Sequence, residues 1–135
     1  MTNSTNSGKL RRLVRRFPLT LFCVALTWYL CLFKPPHTPL DGIGGVDKFV
    51  HFLMYCGTCS VLWFEYHRGG FRTALGLRLF LGVLAPIAMS GIIELCQAYL
   101  TTTRSGEWAD FFANSLGVLA AFCASLLWQR YRRAA

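Results

Sequence analysis

Acidic side chains are scarce in this sequence: six Asp and Glu stand among 135 residues, against fourteen Lys and Arg. Hydrophobic residues make up 54% of the chain. Together these exclude the composition of an ordinary soluble domain and point to a membrane protein. The formal charge of +8 does not indicate a nucleic-acid partner, because no recognised DNA- or RNA-binding motif is present. The bases lie instead between apolar runs and at their ends. The first apolar run has no small-residue cleavage site after it, so it reads as a retained helix rather than a signal peptide. Neither a dense metal motif such as H-E-x-x-H nor a nucleophile elbow occurs, and no metal or cofactor is expected. Cysteine is missing from the polar loops. Cys23, Cys31, Cys56, Cys59, Cys96 and Cys123 all fall inside apolar runs, which argues against a secreted disulfide framework and for small hydrophobes. Cys56-Gly57-Thr58-Cys59 matches a redox C-x-x-C pattern, yet such a site needs an exposed thiolate near a helix N-terminus. This pair lies within an apolar segment.

What the chain does have is four apolar segments. Residues 1–16 read as a disordered basic tail in which Lys9, Arg11, Arg12, Arg15 and Arg16 precede the first segment. Phe17 to Phe33 is the first helix, at the short end for a membrane span. Lys34 to Val46, with Pro35, Pro36, Pro39, Gly42, Gly44 and Gly45, is an irregular loop. A second helix starts at Asp47, an N-cap or first-turn acid, and runs to about Tyr66. The third, Thr73 to Leu100, carries Pro86, which predicts a kink, and Gly82 and Gly91, which permit close helix approach. After a polar connection, the fourth runs from Trp108 to Trp128, and residues 129–135 form a second basic tail. The expected fold is all-α, an integral membrane bundle of four transmembrane helices over residues 17–128. Eleven of the fourteen bases lie on the side of the two termini, and only Lys34, Lys48 and Arg104 on the other. The positive-inside rule therefore makes both termini cytoplasmic in a plasma-membrane protein.

With that topology the polar residues gather at the outer side. Asp47, His51 and Tyr55 are four apart and form one stripe on the second helix. Glu94 and Gln97 share a face near the outer end of the third helix, Arg104 lies in the outer loop, and Asp110 and Asn114 open the fourth, with Gly117 a turn further in. Acids, histidines and amides are costly in a bilayer unless they face one another or a wet cavity. One outward-facing polar pocket between the second, third and fourth helices is the simplest arrangement. Lys48 lies off the Asp47–His51 face and is placed to snorkel to the headgroups. Each residue also has a structural reading: Asp47 as a cap, Asp110 as a partner of Arg104, Asn114 as a packing hydrogen bond, His51 as a satisfied buried histidine. Glu94, flanked by Ile92, Ile93 and Leu95, is the hardest to treat so, since its carboxylate needs Arg104, His51, Lys48 or a shared proton.

Asp47-Lys48-Phe49-Val50-His51-Phe52, with Tyr55 following, resembles the D-K-x-x-H-F-x-x-Y signature of VanZ-like membrane proteins. Glu94 and Gln97, then Arg104, Asp110, Asn114 and Gly117, resemble that family's second signature, E-x-x-Q…R-x5-D-x3-N-x2-G. The likeness covers Lys34 to Trp128 and departs at Thr101-Thr102-Thr103, where a Pro-Gly-like turn is expected. It implies a small polytopic protein of the cell envelope, linked to antibiotic resistance of the teicoplanin type. The first functional expectation is binding of a membrane lipid or lipid-linked precursor headgroup by Asp47, Lys48, His51, Glu94, Gln97, Arg104, Asp110 and Asn114, with Arg104 and Lys48 on phosphate. The second is a hydrolase or transferase acting on a lipid phosphate, with His51 as base, oriented by Asp47 or Glu94. A metal held by His51 with Asp47, Glu94 or Asp110 is a variant of it. The third is proton-coupled transport through buried carboxylates, which would need a homo-oligomer.

Overall fold

A computed structural model describes residues 8, 11, 14–33, 44–71, 73–102 and 105–134. Expectations for residues 1–7, Lys9, Arg12, the proline-rich loop from Lys34 to Ile43, Arg72, Thr103 and Arg104 lie outside them. All regular structure among the described residues is helical. The helices are α1 (Pro18–Leu32), α2 (Val46–Arg68), α3 (Leu75–Leu100) and α4 (Trp108–Ala134). Two of these, α3 with 26 residues and mean hydropathy 2.1 and α4 with 27 residues and 1.7, are long and apolar enough to cross a membrane.

Two boundaries differ from expectation. Gly8, Arg11 and Val14 to Arg16 have helical backbone, where an irregular tail was expected. The fourth helix does not stop at Trp128 but continues through Arg130, Arg132 and Arg133. Basic residues are good helix formers and favour a helix C-terminus, where the carbonyl ends are negative.

The irregularity expected at Pro86 lies just before it. Phe80–Leu84 is a π-turn, and the α-helix resumes at Ala85–Leu100 with Pro86 in its first turn. Proline has no N–H and its ring crowds the carbonyl four residues back, so an extra residue in the preceding turn accommodates it. Gly82, in the π-turn, receives the indole of Trp63; a Cβ there would collide with the ring. Gly91 has a lesser part than expected, since a Cβ would lie 3.5 Å from the Phe111 ring, an ordinary contact.

Helices successive in the chain alternate in direction. Thr20 of α1 bonds Glu65 near the end of α2, and Thr27 bonds Thr58 in mid-helix. Ser90 of α3 bonds Asn114 of α4. The most extensive contact joins α2 and α4, which run the same way and meet at Gly117. A Cβ at Gly117 would collide with the Phe52 carbonyl oxygen, so only glycine permits that approach. Tyr55, Cys59, Trp63, Val83, Val118 and Ala121 form the apolar core. All six cysteines are free; Cys59 is buried and Cys56 half-buried.

Polarity is distributed in an unusual sense. Among the described residues, eleven buried ones are polar or charged against eight apolar ones, while Phe22, Phe49, Phe112, Leu116, Leu127 and many other large hydrophobics are exposed. A soluble monomer does not expose apolar surface on this scale.

Glu65 shows how a buried charge is accommodated. It is 6% exposed and accepts hydrogen bonds from Leu19 N at 3.1 Å, Thr20 N at 2.9 Å and Thr20 Oγ1 at 2.7 Å. Pro18 opens α1 without an N–H, and Glu65 satisfies the next two orphan donors of the helix terminus. A negative group there also complements the helix dipole. We expect Glu65→Ala to destabilise the protein by about 1–3 kcal/mol, as buried donors lose their acceptor, and Glu65→Gln to lose less. Thermal unfolding in detergent micelles checks this; an unchanged Tm for Glu65→Ala would rule the cap out.

Candidate functional site

Asp47, Lys48, His51 and Asp110 meet at the N-terminal ends of α2 and α4. The chain enters α2 through Gly45, whose φ of 87° suits glycine. Gly45 is the N-cap and Asp47 follows in the first turn, so Asp47 is a first-turn acid rather than an N-cap. Asp47 is exposed, whereas His51, one turn on, is 3% exposed. Asp110, in the first turn of α4, is also buried.

Their distances are characteristic. His51 Nε2 lies 3.9 Å from Asp47 Oδ1 and 3.9 Å from Asp110 Oδ2. Lys48, its side chain partly exposed, reaches across to α4. Its Nζ lies 2.6 Å from Glu107 Oε2 and 3.1 Å from Asp110 Oδ1, with Asp47 Oδ2 at 3.7 Å. One ammonium thus holds three carboxylates together, and it links the start of α2 to the start of α4.

Glu94 joins from α3. Its Oε2 accepts the backbone N–H of Glu107 at 3.0 Å, while its Oε1 is buried with no hydrogen-bond partner among the described residues. Gly106 makes this possible, because a Cβ there would collide with the Glu94 carbonyl oxygen. The Glu107 carbonyl in turn accepts the N–H groups of Asp110 and Phe111, so the residue that pairs with Lys48 also opens α4.

Gln97 and Asn114 serve packing. The Gln97 Nε2 donates to the Cys31 carbonyl of α1 at 2.7 Å, so it faces a different helix from the expected pocket between α2, α3 and α4. Asn114 is fully buried and donates to Ser90 Oγ at 2.9 Å, which ties α4 to α3. Tyr55 belongs to the apolar core. Arg104, expected to contact phosphate, lies outside the described residues.

Three polar residues with clear roles, Glu65, Ser90 and Glu107, stood outside the sequence patterns. Glu107 had a local signal, an acid immediately before an apolar helix. Glu65 and Ser90 had none, since their partners lie on other helices. A further polar group forms at the C-terminal ends of α2 and α4, where His67 Nε2 lies 2.8 Å from Ser125 Oγ.

The site carries more negative than positive charge among the described residues: Asp47, Glu94, Glu107 and Asp110 face Lys48 and His51. The hydrogen bond and charge of Lys48 hold the Glu107 carboxyl below the usual carboxylate range. Its proton is therefore bound less readily in the folded state than in the unfolded chain. The contact contributes stability above the ordinary glutamate pKa of about 4.3 and loses it as pH falls through the depressed value. Glu107 is half exposed, so salt weakens the effect. We expect Lys48→Met to move the Glu107 titration up towards the ordinary value, followed by carboxyl 13C NMR; no upward movement would exclude Lys48 as the cause. In comparisons with known proteins, the chain matches no protein-family model, no curated protein and no solved structure.

Proposed function

We propose that this chain is a VanZ-like integral membrane protein that binds the polar headgroup of a cell-envelope lipid or lipid-linked precursor at its extracytoplasmic end. In this reading all four helices span the plasma membrane as a bundle, with both termini in the cytoplasm. The observation that carries it is the meeting of the two signatures: Lys48 of the first reaches Asp110 of the second at 3.1 Å, above the buried His51. Residues so far apart in sequence come together at one end of the helices, where a headgroup would arrive. The apolar exterior supports immersion in lipid, since Phe22, Phe112, Leu116 and Leu127 are exposed along α1 and α4. Orientation rests on the excess of Lys and Arg at the termini and the second loop.

The geometry changes the expected recognition chemistry. Lys48 is already neutralised by Glu107 and Asp110, so it is poorly placed to serve a phosphate. The carboxylate excess favours a headgroup with a cationic or hydroxyl-rich part, which carboxylates recognise by accepting hydrogen bonds. A second reading, a hydrolase or transferase with His51 as base, draws support from the two carboxylates flanking Nε2 at 3.9 Å, which are placed to orient an imidazole base.

For protein in nanodiscs of native lipid, Asp110→Asn is expected to weaken headgroup binding at least about ten-fold, the scale set by 1.4 kcal/mol. Asn114→Ser, a change in the packing contact, is expected to leave it within about two-fold, well under 1 kcal/mol. Co-purified lipid measured by mass spectrometry, with teicoplanin tolerance of expressing cells, checks this. Unchanged lipid content and tolerance in Asp110→Asn would remove the proposal, and lipid turnover abolished by His51→Ala would favour the second reading. Reporter fusions at the two termini that both act outside the cytoplasm would overturn the orientation.

A further inference from the structure

We propose that Asp47, His51 and Asp110 form a binding site for one divalent transition-metal cation of the Zn2+ or Mn2+ kind. The use of that metal in recognition rests on the headgroup reading above; its binding does not. Each of the three side chains offers a ligand atom, and these atoms all lie within 4.8 Å of one another. His51 Nε2 stands 3.9 Å from a carboxylate oxygen on either side, beyond the 2.7–3.2 Å of a hydrogen bond. Two ligands of one ion, each bonded at about 2.0–2.2 Å, lie roughly 3–4 Å apart. The three groups are therefore spaced as donors around a shared centre rather than as hydrogen-bonded partners.

Burial is the second, independent argument. His51 is 3% exposed, its Nδ1 has no hydrogen-bond partner among the described residues, and its Nε2 faces both carboxylates. An imidazole without a hydrogen bond is costly to bury; a metal at Nε2 would give that nitrogen a partner, while Nδ1 would still need its own. Asp110 is fixed by its place in the first turn of α4, whereas Asp47 is exposed. Glu94 joins the site from α3, its Oε1 buried and without a hydrogen-bond partner among the described residues.

The donor set narrows the class of ion. Two carboxylates and one imidazole suit Zn2+ or Mn2+, whereas Mg2+ and Ca2+ prefer oxygen alone. Three protein ligands leave coordination positions open, as in sites where a metal meets a water or an exogenous oxygen. In the present state Lys48 Nζ, 3.1 Å from Asp110 and 3.7 Å from Asp47, supplies the positive charge that the metal would bring. Cation binding would then release Lys48 towards Glu107 alone. A headgroup oxygen could occupy an open position, which would give this carboxylate-rich site a means of holding a phosphate.

The test uses full-length protein purified in detergent through a tag without histidine, stripped with chelator and titrated with Zn2+ and Mn2+ separately. One equivalent bound, by calorimetry and by elemental analysis after gel filtration, is expected for the wild type. His51→Gln and Asp110→Asn should each weaken binding at least ten-fold, since even groups behind metal ligands cost 10–100-fold. Lys48→Met should tighten it by about ten-fold, the scale of one lost charge repulsion at a partly exposed site. That last change distinguishes a metal site from a mere structural cluster, which would only be weakened by losing its cation. Should the ligand variants fail to fold, the Lys48→Met affinity and the rise in wild-type Tm with added Zn2+ decide the matter. No stoichiometric metal in both wild type and Lys48→Met overturns the proposal. So does Mg2+ or Ca2+ binding as tightly as Zn2+, which would exclude the imidazole. Because metal alone is the probe, lipid binding absent from a metal-loaded protein counts against the headgroup reading only.

Discussion

Buried polar groups surrounded by apolar helix exteriors must satisfy one another, and the arrangement of this protein follows from that constraint. A carboxylate among helices whose outer faces are Phe and Leu has no bulk water to turn to. Glu65 takes the free N–H groups of α1, Asn114 takes Ser90, and Gln97 takes a carbonyl at the end of α1. Each contact joins a different pair of helices, so polar satisfaction specifies which helices are neighbours. The apolar contacts, with little driving force of their own if the exterior is lipid, then add close packing at Gly117 and Gly82.

The two ends of the helices use their polar residues differently. Around Glu65 each donor meets its acceptor, and the group serves as a cap with nothing left over. Around His51 the distances stay long, Glu94 Oε1 has no partner among the described residues, and one lysine is shared by three carboxylates. A site built only for stability would shorten those contacts or dispense with the histidine. Partly satisfied networks of this kind are expensive, and their persistence is characteristic of places that meet something beyond the chain itself.

Much of the fold was legible because helix content and apolar length are local properties. The four apolar segments, the start of α2 near Asp47 and the close approach at Gly82 all follow from composition and from residues with restricted or permissive backbones. The helical continuation past Trp128 was missed because charge was taken as the end of structure, although Arg130, Arg132 and Arg133 extend a helix readily. The disruption near Pro86 was foreseen in kind, but not its form as a π-turn ahead of the proline, where Gly82 receives the Trp63 indole.

For the candidate site, sequence alone determined which groups had to find partners: Asp47, His51, Glu94 and Asp110 are ionisable residues on apolar helices, and their spacing puts each near the same end. Pattern could not assign the partners. Helix period places Asp47 and His51 on one stripe, but only the crossing of α2 and α4 at Gly117 brings Asp110 to 3.9 Å from His51. It also brings Lys48 across to Glu107, and the facing of α3 towards α1 draws Gln97 to Cys31. Periodicity is a property of one helix, whereas a site shared between helices depends on their rotation and depth, and those are set by close packing at residues that carry no chemistry of their own.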